Sequence, residues 1–372
     1  MMYEQGFQGD VLYMMLYAVV TAIAMMAGCY LLFRRANAIA PDITPPVRLR
    51  KWGAAFFFAL ALCHLWYLPM YFLSSSDDLM LGYLIAGLLD CMTVIPLSIA
   101  LLLVMLQDRR RPLWPICVMM IPLVVGLVWS FASRHDGLQL MVFFYFLLMW
   151  LGLIIYMVRA LRQYRDWLRD NYADLEHKEV WQGFVVLVII LLLFAIYSFD
   201  LGGPVYEYAM ESINIILVFY LLWRVETLSD LSISESESLS ADETMTEDAE
   251  DDATSMTIQY KITPLLQKYC IDTQLYLQHD LTRIQLAKAI GTNRSYLSLY
   301  FSSQGMTYNA YINGLRIQHF IHLYHEAVAT HQPISVQQLA HQSGFRSYST
   351  FYTAFKQSMG MTATKWMRPS ES

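Results

Sequence analysis

The chain is short of charge. Only 15% of its 372 residues are Asp, Glu, Lys or Arg, against 56% hydrophobic, and the mean hydropathy is +0.38. Soluble chains average about 25% charged and roughly 45–50% apolar, so neither a wholly soluble nor a disordered protein is expected. Cysteine is scarce as well. The five residues Cys29, Cys63, Cys91, Cys117 and Cys270 form no CxxC pair and no Cys/His cluster at ligand spacing, which argues against a metal site or a disulfide framework and predicts free thiols. No Gly-rich phosphate loop, kinase block or nucleophile elbow occurs, so no catalytic residue, no cofactor and no enzymatic activity are expected. The sixth and seventh apolar segments contain no Lys, which excludes a retinal Schiff base.

The charge that is present is unevenly placed. The whole chain has a formal net charge of -6, but residues 1–225 carry -1, residues 226–255 carry -11 with no base at all, and residues 256–372 carry +6. Three parts are therefore expected: 1–225, 226–255 and 256–372.

The first part contains seven apolar segments, at about 11–33, 52–73, 79–106, 113–132, 138–158, 180–200 and 206–225. A membrane-spanning helix needs about 20 apolar residues for a hydrocarbon core roughly 30 Å thick. The third segment is long enough to bend, with Pro96 as the natural place. Fourteen bases flank the segments on one side, including Arg34, Arg35, Arg48, Arg50, Lys51 and Arg109–Arg111, and only Arg134 lies on the other. The positive-inside rule then places the N-terminus outside and the C-terminus in the cytoplasm, which requires an odd number of spans. The first apolar run is too long for the core of a cleavable signal peptide and reads as a true span.

Ionisable residues inside spans are costly and mark function. His64 and Asp90 both lie about 14–17 Å from the outer end of their segments at a helical rise per residue. Glu207, Glu211 and Asn214 enter the seventh segment from the same side. One expectation is a polar pocket built from His64, Asp90, Glu211 and Asn214 that binds a small-molecule or membrane signal. The plainer alternative is a hydrogen bond between His64 and Asp90.

Residues 226–255 are dominated by acids, Ser and Thr and lack Gly, Pro and aromatics. Such a stretch cannot bury enough apolar surface to order itself. It is expected to be a solvated tether, or else an acidic competitor for the basic domain that follows.

In residues 256–372 the apolar spacing becomes helical. Leu286, Ala287 and Ile290 mark one helix face, Gly291 a turn, Asn293 a cap, and Leu297 and Phe301 the inner face of a second helix. The same order recurs at Leu339 and Ala340, Gly344, then Phe351 and Phe355. These are two helix-turn-helix units. A long helix between them carries Tyr308, Tyr311, Ile312 and Leu315 on one face and Phe320, Leu323 and Tyr324 on another. His319, His322 and His325 recur at i, i+3 and i+6, which suits a polar helix face better than a metal site.

At these residues the chain resembles a known family. Residues 280–368, through DLTRIQLAKAIGTNRSYLSLYF, GMTYNAYINGLRI, ISVQQLAHQSGFRSYSTFYTAFKQSMGMT and KWMR, resemble the AraC/XylS-type DNA-binding domain. The resemblance implies two recognition helices, at 293–302 and 347–357, set in successive major-groove faces of one double-stranded promoter site. It implies base-edge positions at Ser295, Ser298 and Leu299 in the first and at Tyr348, Ser349, Tyr352 and Thr353 in the second, and phosphate contacts from Arg294, Arg346, Ser347 and Lys356. Tyr348 and Tyr352 can equally face solvent without touching a base. It also implies pairing of two copies on DNA and RNA polymerase as a further partner. Three positions depart from the family pattern: Leu299 stands where Arg is common, Phe320 where a small Ala is usual, and Ala363 where Pro is usual.

Together these observations predict an all-α protein: a seven-helix transmembrane bundle in a lipid bilayer, a disordered acidic linker and a C-terminal double helix-turn-helix domain. The function they favour is a membrane-tethered transcription regulator in a bacterial inner membrane, responding to a signal at the bundle. The alternative is a transporter or receptor subunit whose appended domain binds proteins, or binds DNA incidentally.

Overall fold

A computed structural model describes residues 11–231 and 255–367, apart from 35, 74, 76–77, 80–81, 83–84, 87–88, 91, 134–138, 183–184, 186–202, 332 and 334. Among the described residues the regular structure is helical, as expected. The chain divides into two compact units. The first comprises Met1–Arg162 and Val180–Leu231, the second Gln163–Glu179 and Ser232–Ser372.

In the first unit, α1 (Val11–Phe33), α2 (Val47–Tyr67, prolonged by a 3-10 turn at Leu68–Phe72), α3 (Val94–Met105), α4 (Trp114–Ser133), the opening of α5 (Gln139–Asn171) and α6 (Gly203–Thr227) follow six of the seven apolar segments. Most of the sixth segment lies outside the described residues. Pro96 sits in the first turn of α3, where its missing N–H costs nothing. Among the described residues, three stretches are long and apolar enough to cross a membrane: Val11–Phe33, Val47–Met70 and Tyr208–Thr227. The stretches Val94–Met105 and Trp114–Gly126 are apolar but shorter.

The packing of these helices follows from small and branched residues at helical spacing. α1 buries Val20, Ala24, Ala27 and Leu31, α2 buries Phe56, Phe57 and Leu60, and α6 buries Leu217, Val218, Leu221 and Val225. Their other faces are also apolar: Leu12, Met15, Met26 and Phe33 of α1 and Ile216, Phe219 and Trp223 of α6 are exposed. Water does not favour large exposed apolar faces of this kind, whereas hydrocarbon does.

The structure divides the chain differently from the sequence in two places. Residues 226–231, the start of the acidic stretch, are ordered within the first unit. The fully buried Glu226 carboxylate pairs with Arg34 at 2.8 Å and Arg50 at 3.8 Å. The Glu226 carbonyl accepts from Asn37, Asp230 donates to the Thr44 carbonyl, and Gln107 bridges Ser229 and Leu231. Average composition missed this because a single carboxylate among arginines has local partners. The rest of the expected tether, 232–254, lies outside the described residues. Secondly, residues 163–179, placed by sequence with the membrane part, belong to the second unit.

The second unit contains α7 (Ser255–Leu266), which runs into a π turn at Gln267–Ile271, a 3-10 turn at Leu275–Leu277, and α8 (Arg283–Ile290), α9 (Arg294–Ser303), α10 (Tyr308–Ala329), α11 (Val336–Gln342), α12 (Tyr348–Met359) and α13 (Ala363–Trp366). Each of the last six starts at a Ser, Thr or Asn whose side chain accepts a first-turn N–H: Thr282, Asn293, Thr307, Ser335, Ser347 and Thr362. Such caps are worth about 1 kcal/mol each, which matters most for the shorter of these helices.

Two cores result. Ile262, Leu266, Leu286, Ala287, Ile290, Leu297, Phe301, Tyr308 and Ile312 fill the first. Ile317, Phe320, Leu339, Ala340, Phe345, Phe351 and Phe355 fill the second. α10 therefore serves both, its first half in one core and its second half in the other, as its two apolar faces predict. Between them Arg316 is fully buried. Its guanidinium donates to the carbonyls of Tyr276 at 2.8 Å, Gln278 at 2.7 Å and His279 at 3.2 Å, and lies over the Phe345 ring.

Candidate nucleic-acid interface

α9 and α12 are the second helices of the two helix-turn-helix motifs, and each turns one face inward. On α9, Leu297 and Phe301 are buried, leaving Ser295 and Leu299 exposed and Arg294 and Ser298 half-buried. On α12, Phe351 and Phe355 are buried, while Tyr348, Ser349, Tyr352, Thr353 and Lys356 are exposed along one face at i, i+1, i+4, i+5 and i+8. Arg346 is exposed just before α12.

The side-chain contacts distinguish these residues. Tyr352 is 40% exposed and Tyr348 39%, the latter with its ring tilted against Phe351. Ser347 is committed to the cap, accepting the Thr350 N–H at 3.3 Å. Thr353 bonds back to the Ser349 carbonyl. Arg346 pairs with Asp280 at 3.2 Å, and Asp280 also lies 3.8 Å from Lys178. Burial pushes the Lys178 ammonium below its ordinary range, and Asp174 and Asp280 pull it back.

Ser298 has a partner that sequence reasoning passed over. Arg283, the first residue of α8, donates from one guanidinium nitrogen to Ser298 Oγ at 3.1 Å and from another to Asn171 Oδ1 at 2.9 Å. The 163–179 segment is fastened at the same place. Ala173 is fully buried in the first core, its N–H donates to the Leu281 carbonyl, and its carbonyl accepts from Asn309 at 2.7 Å and Asn313 at 3.4 Å. A signal for this was present in the sequence. Tyr164, Leu168 and Tyr172 recur every four residues after the fifth apolar segment, and all three are buried.

In the first unit the expected polar residues separate into two groups. His64 is hydrogen-bonded to Glu211 at 3.1 Å and its ring lies tilted against Tyr17, with ring centroids 4.6 Å apart. Asp90 instead accepts from Trp66 at 3.2 Å and Tyr67 at 2.9 Å. The expected His64–Asp90 hydrogen bond is thus replaced by a bond from His64 across to α6. Asn214 is half-buried one turn beyond Glu211, and the side chain of Glu207 lies outside the described residues. No group of three or more His, Cys, Asp or Glu residues is arranged to hold a metal among the described residues, and His319, His322 and His325 form no such site.

Residues 286–369 match a family model described as a helix-turn-helix domain, of the AraC type. No curated protein and no solved structure matches the chain. The domain that the match covers is of a kind that binds DNA and regulates transcription.

Proposed function

We propose that this chain, with its AraC-type helix-turn-helix domain at residues 286–369, is a one-component transcription regulator anchored in a bacterial inner membrane. It binds promoter DNA through α9 and α12. The observation that carries this reading is the paired exposure of polar and aromatic faces on the second helices of two consecutive units, each held by its own core. Arg294, Arg346 and Lys356 meet phosphates and fix register. Ser295, Ser298, Leu299, Tyr348, Ser349, Tyr352 and Thr353 face base edges. Ser347 serves as a cap that aims α12.

The membrane part has seven spans, its N-terminus outside and its C-terminal domain in the cytoplasm, where DNA is reachable. Fourteen flanking bases against one support this orientation. The signal is bound at the His64–Glu211–Tyr17 group on α1, α2 and α6, with Asp90 held nearby by Trp66 and Tyr67. Two copies pair on DNA, through the bundle rather than through a coiled-coil seam.

The test is selection of duplexes from a random pool by the purified full chain. A single enriched motif is expected, lost in Tyr352→Ala and weakened evenly across sequences in Lys356→Ala. No enrichment, or an enrichment that Tyr352→Ala leaves intact, would contradict the DNA-reading assignment. For the signal site, His64→Ala and Asp90→Asn are expected to abolish promoter response at unchanged protein levels, and normal response in both would remove that assignment.

A further inference from the structure

Arg283 is more than nine-tenths buried, yet its partners are neutral: an amide oxygen and a hydroxyl. Its Nε has no hydrogen-bond partner, and its guanidinium hydrogen bonds among the described residues go to no carboxylate. Asp170 acts on it only from further off, and Arg294 repels it. A buried guanidinium whose two hydrogen-bond acceptors are neutral oxygens is a site that favours an anion. It is bonded to Ser298, on the helix whose exposed face is assigned to DNA.

The segment that covers it, 163–179, carries five acids and three bases. Its docking includes the Ala173–Leu281 backbone bond, the Tyr172–Thr282 bridge, the Asn309 and Asn313 amides, Lys178 beside Asp280, and Ala173 buried in the first core. It lies outside the stretch that matches the helix-turn-helix model. It is also the direct continuation of the helix that begins at Gln139.

We propose that Arg283 is a DNA-phosphate ligand of the first helix-turn-helix, and that the 163–179 segment is a built-in competitor that caps it through Asn171. Duplex DNA and the segment exclude each other at Arg283. A phosphate oxygen replaces Asn171 Oδ1, exchanging a neutral acceptor for an anionic one on the same guanidinium, and the acids at 166, 170, 174 and 176 leave with the segment. Because the segment continues α5, a shift of that helix reaches the first recognition helix without passing through the acidic linker. This inference rests on the DNA-binding reading above.

The experiment uses the full chain in lipid nanodiscs and a fluorescent 40-base-pair duplex of mixed sequence, titrated by anisotropy between 50 and 200 mM KCl. Asn171→Ala is expected to tighten binding about 3- to 10-fold at the lowest salt and to steepen the log–log salt slope by roughly one. Arg283→Gln is expected to erase that gain in the double variant. Hydrogen exchange on the unmodified chain reads the same event without a mutation: duplex DNA should speed exchange at the Ala173 amide several-fold. Binding in Asn171→Ala that equals or falls below the unmodified chain, a gain that survives Arg283→Gln, or an Ala173 amide that DNA leaves protected would each overturn the proposal. If the unmodified chain binds and Lys356→Ala weakens it while position 171 has no effect, the competitor fails and the DNA-binding reading stands. If the unmodified chain binds no duplex at 50 mM KCl, both fall.

Discussion

The two turn glycines occupy equivalent places in the sequence, but alanine is expected to affect them very differently. Gly291 and Gly344 both hold positive φ, +71° and +87°. Left-handed backbone costs an L-residue roughly 1–2 kcal/mol, offset by about 0.4–1 kcal/mol from a less flexible unfolded chain. At Gly291 a Cβ meets nothing within 4 Å, so Gly291→Ala should cost about 1 kcal/mol. At Gly344 a Cβ would sit 2.7 Å from Leu277 Cα and 2.8 Å from the Leu277 carbonyl oxygen. These are backbone atoms and cannot swing aside. The 275–277 turn must move, and it holds the Tyr276 carbonyl on Arg316. Overpacking of this kind adds roughly 1–3 kcal/mol, so Gly344→Ala should cost about 2–4 kcal/mol. The assay is hydrogen exchange of the full chain, reading the amides of α8 and α12. At 1.4 kcal/mol per tenfold, the opening constant of the domain should rise about 5- to 150-fold more for Gly344→Ala than for Gly291→Ala. Equal effects, or a larger effect at Gly291, would refute the claim that the second turn is wedged against the 3-10 turn.

That contrast shows where sequence pattern ends. The helix-turn-helix units were legible because their determinants are local: small Ala287 and Ala340, turn glycines four residues later, and apolar residues at helical spacing. The cap at Asn293 was legible for the same reason. The asymmetry at Gly344 was not, because it depends on Leu277, 67 positions away. Arg316 was missed although it lies between Ile312 and Phe320 on a stripe of period four. Composition treats an arginine as surface, whereas three converging carbonyls make it a core residue. Glu226 was assigned to the tether by average charge, and its arginine partners order it. The 163–179 segment was assigned to the membrane part by chain position, although Tyr164, Leu168 and Tyr172 form a stripe of period four. Asp90 and His64 were recognised as costly residues, but which partner each takes depends on the packing of α2 and α6.

Three other outcomes are expected. Arg316→Leu removes the donors to three carbonyls and leaves them buried, a loss of about 3–5 kcal/mol that exchange at residues 276–281 should register; unchanged protection there would contradict its joining role. Leu299→Arg, at a position 55% exposed on α9, should tighten duplex binding and shift the selected motif toward guanine at one position, with an unchanged motif counting against base-edge placement. Glu226→Gln leaves Arg34 and Arg50 without their buried carboxylate, so protease cleavage at 228–231 should accelerate at least tenfold in the full chain; an unchanged rate would show that this pairing does not hold the segment.

The central claim is that an intact membrane-anchored chain reads promoters through α9 and α12. Genome-wide DNA occupancy of the full chain tests it most directly, with the crosslinked chain recovered from the membrane fraction and compared with a Tyr348→Ala, Tyr352→Ala variant of equal abundance. The account predicts discrete promoter peaks sharing a motif of two segments about one helical turn apart, all lost in the variant. Peaks that persist in the variant, or an absence of promoter peaks from the unmodified chain, would contradict it.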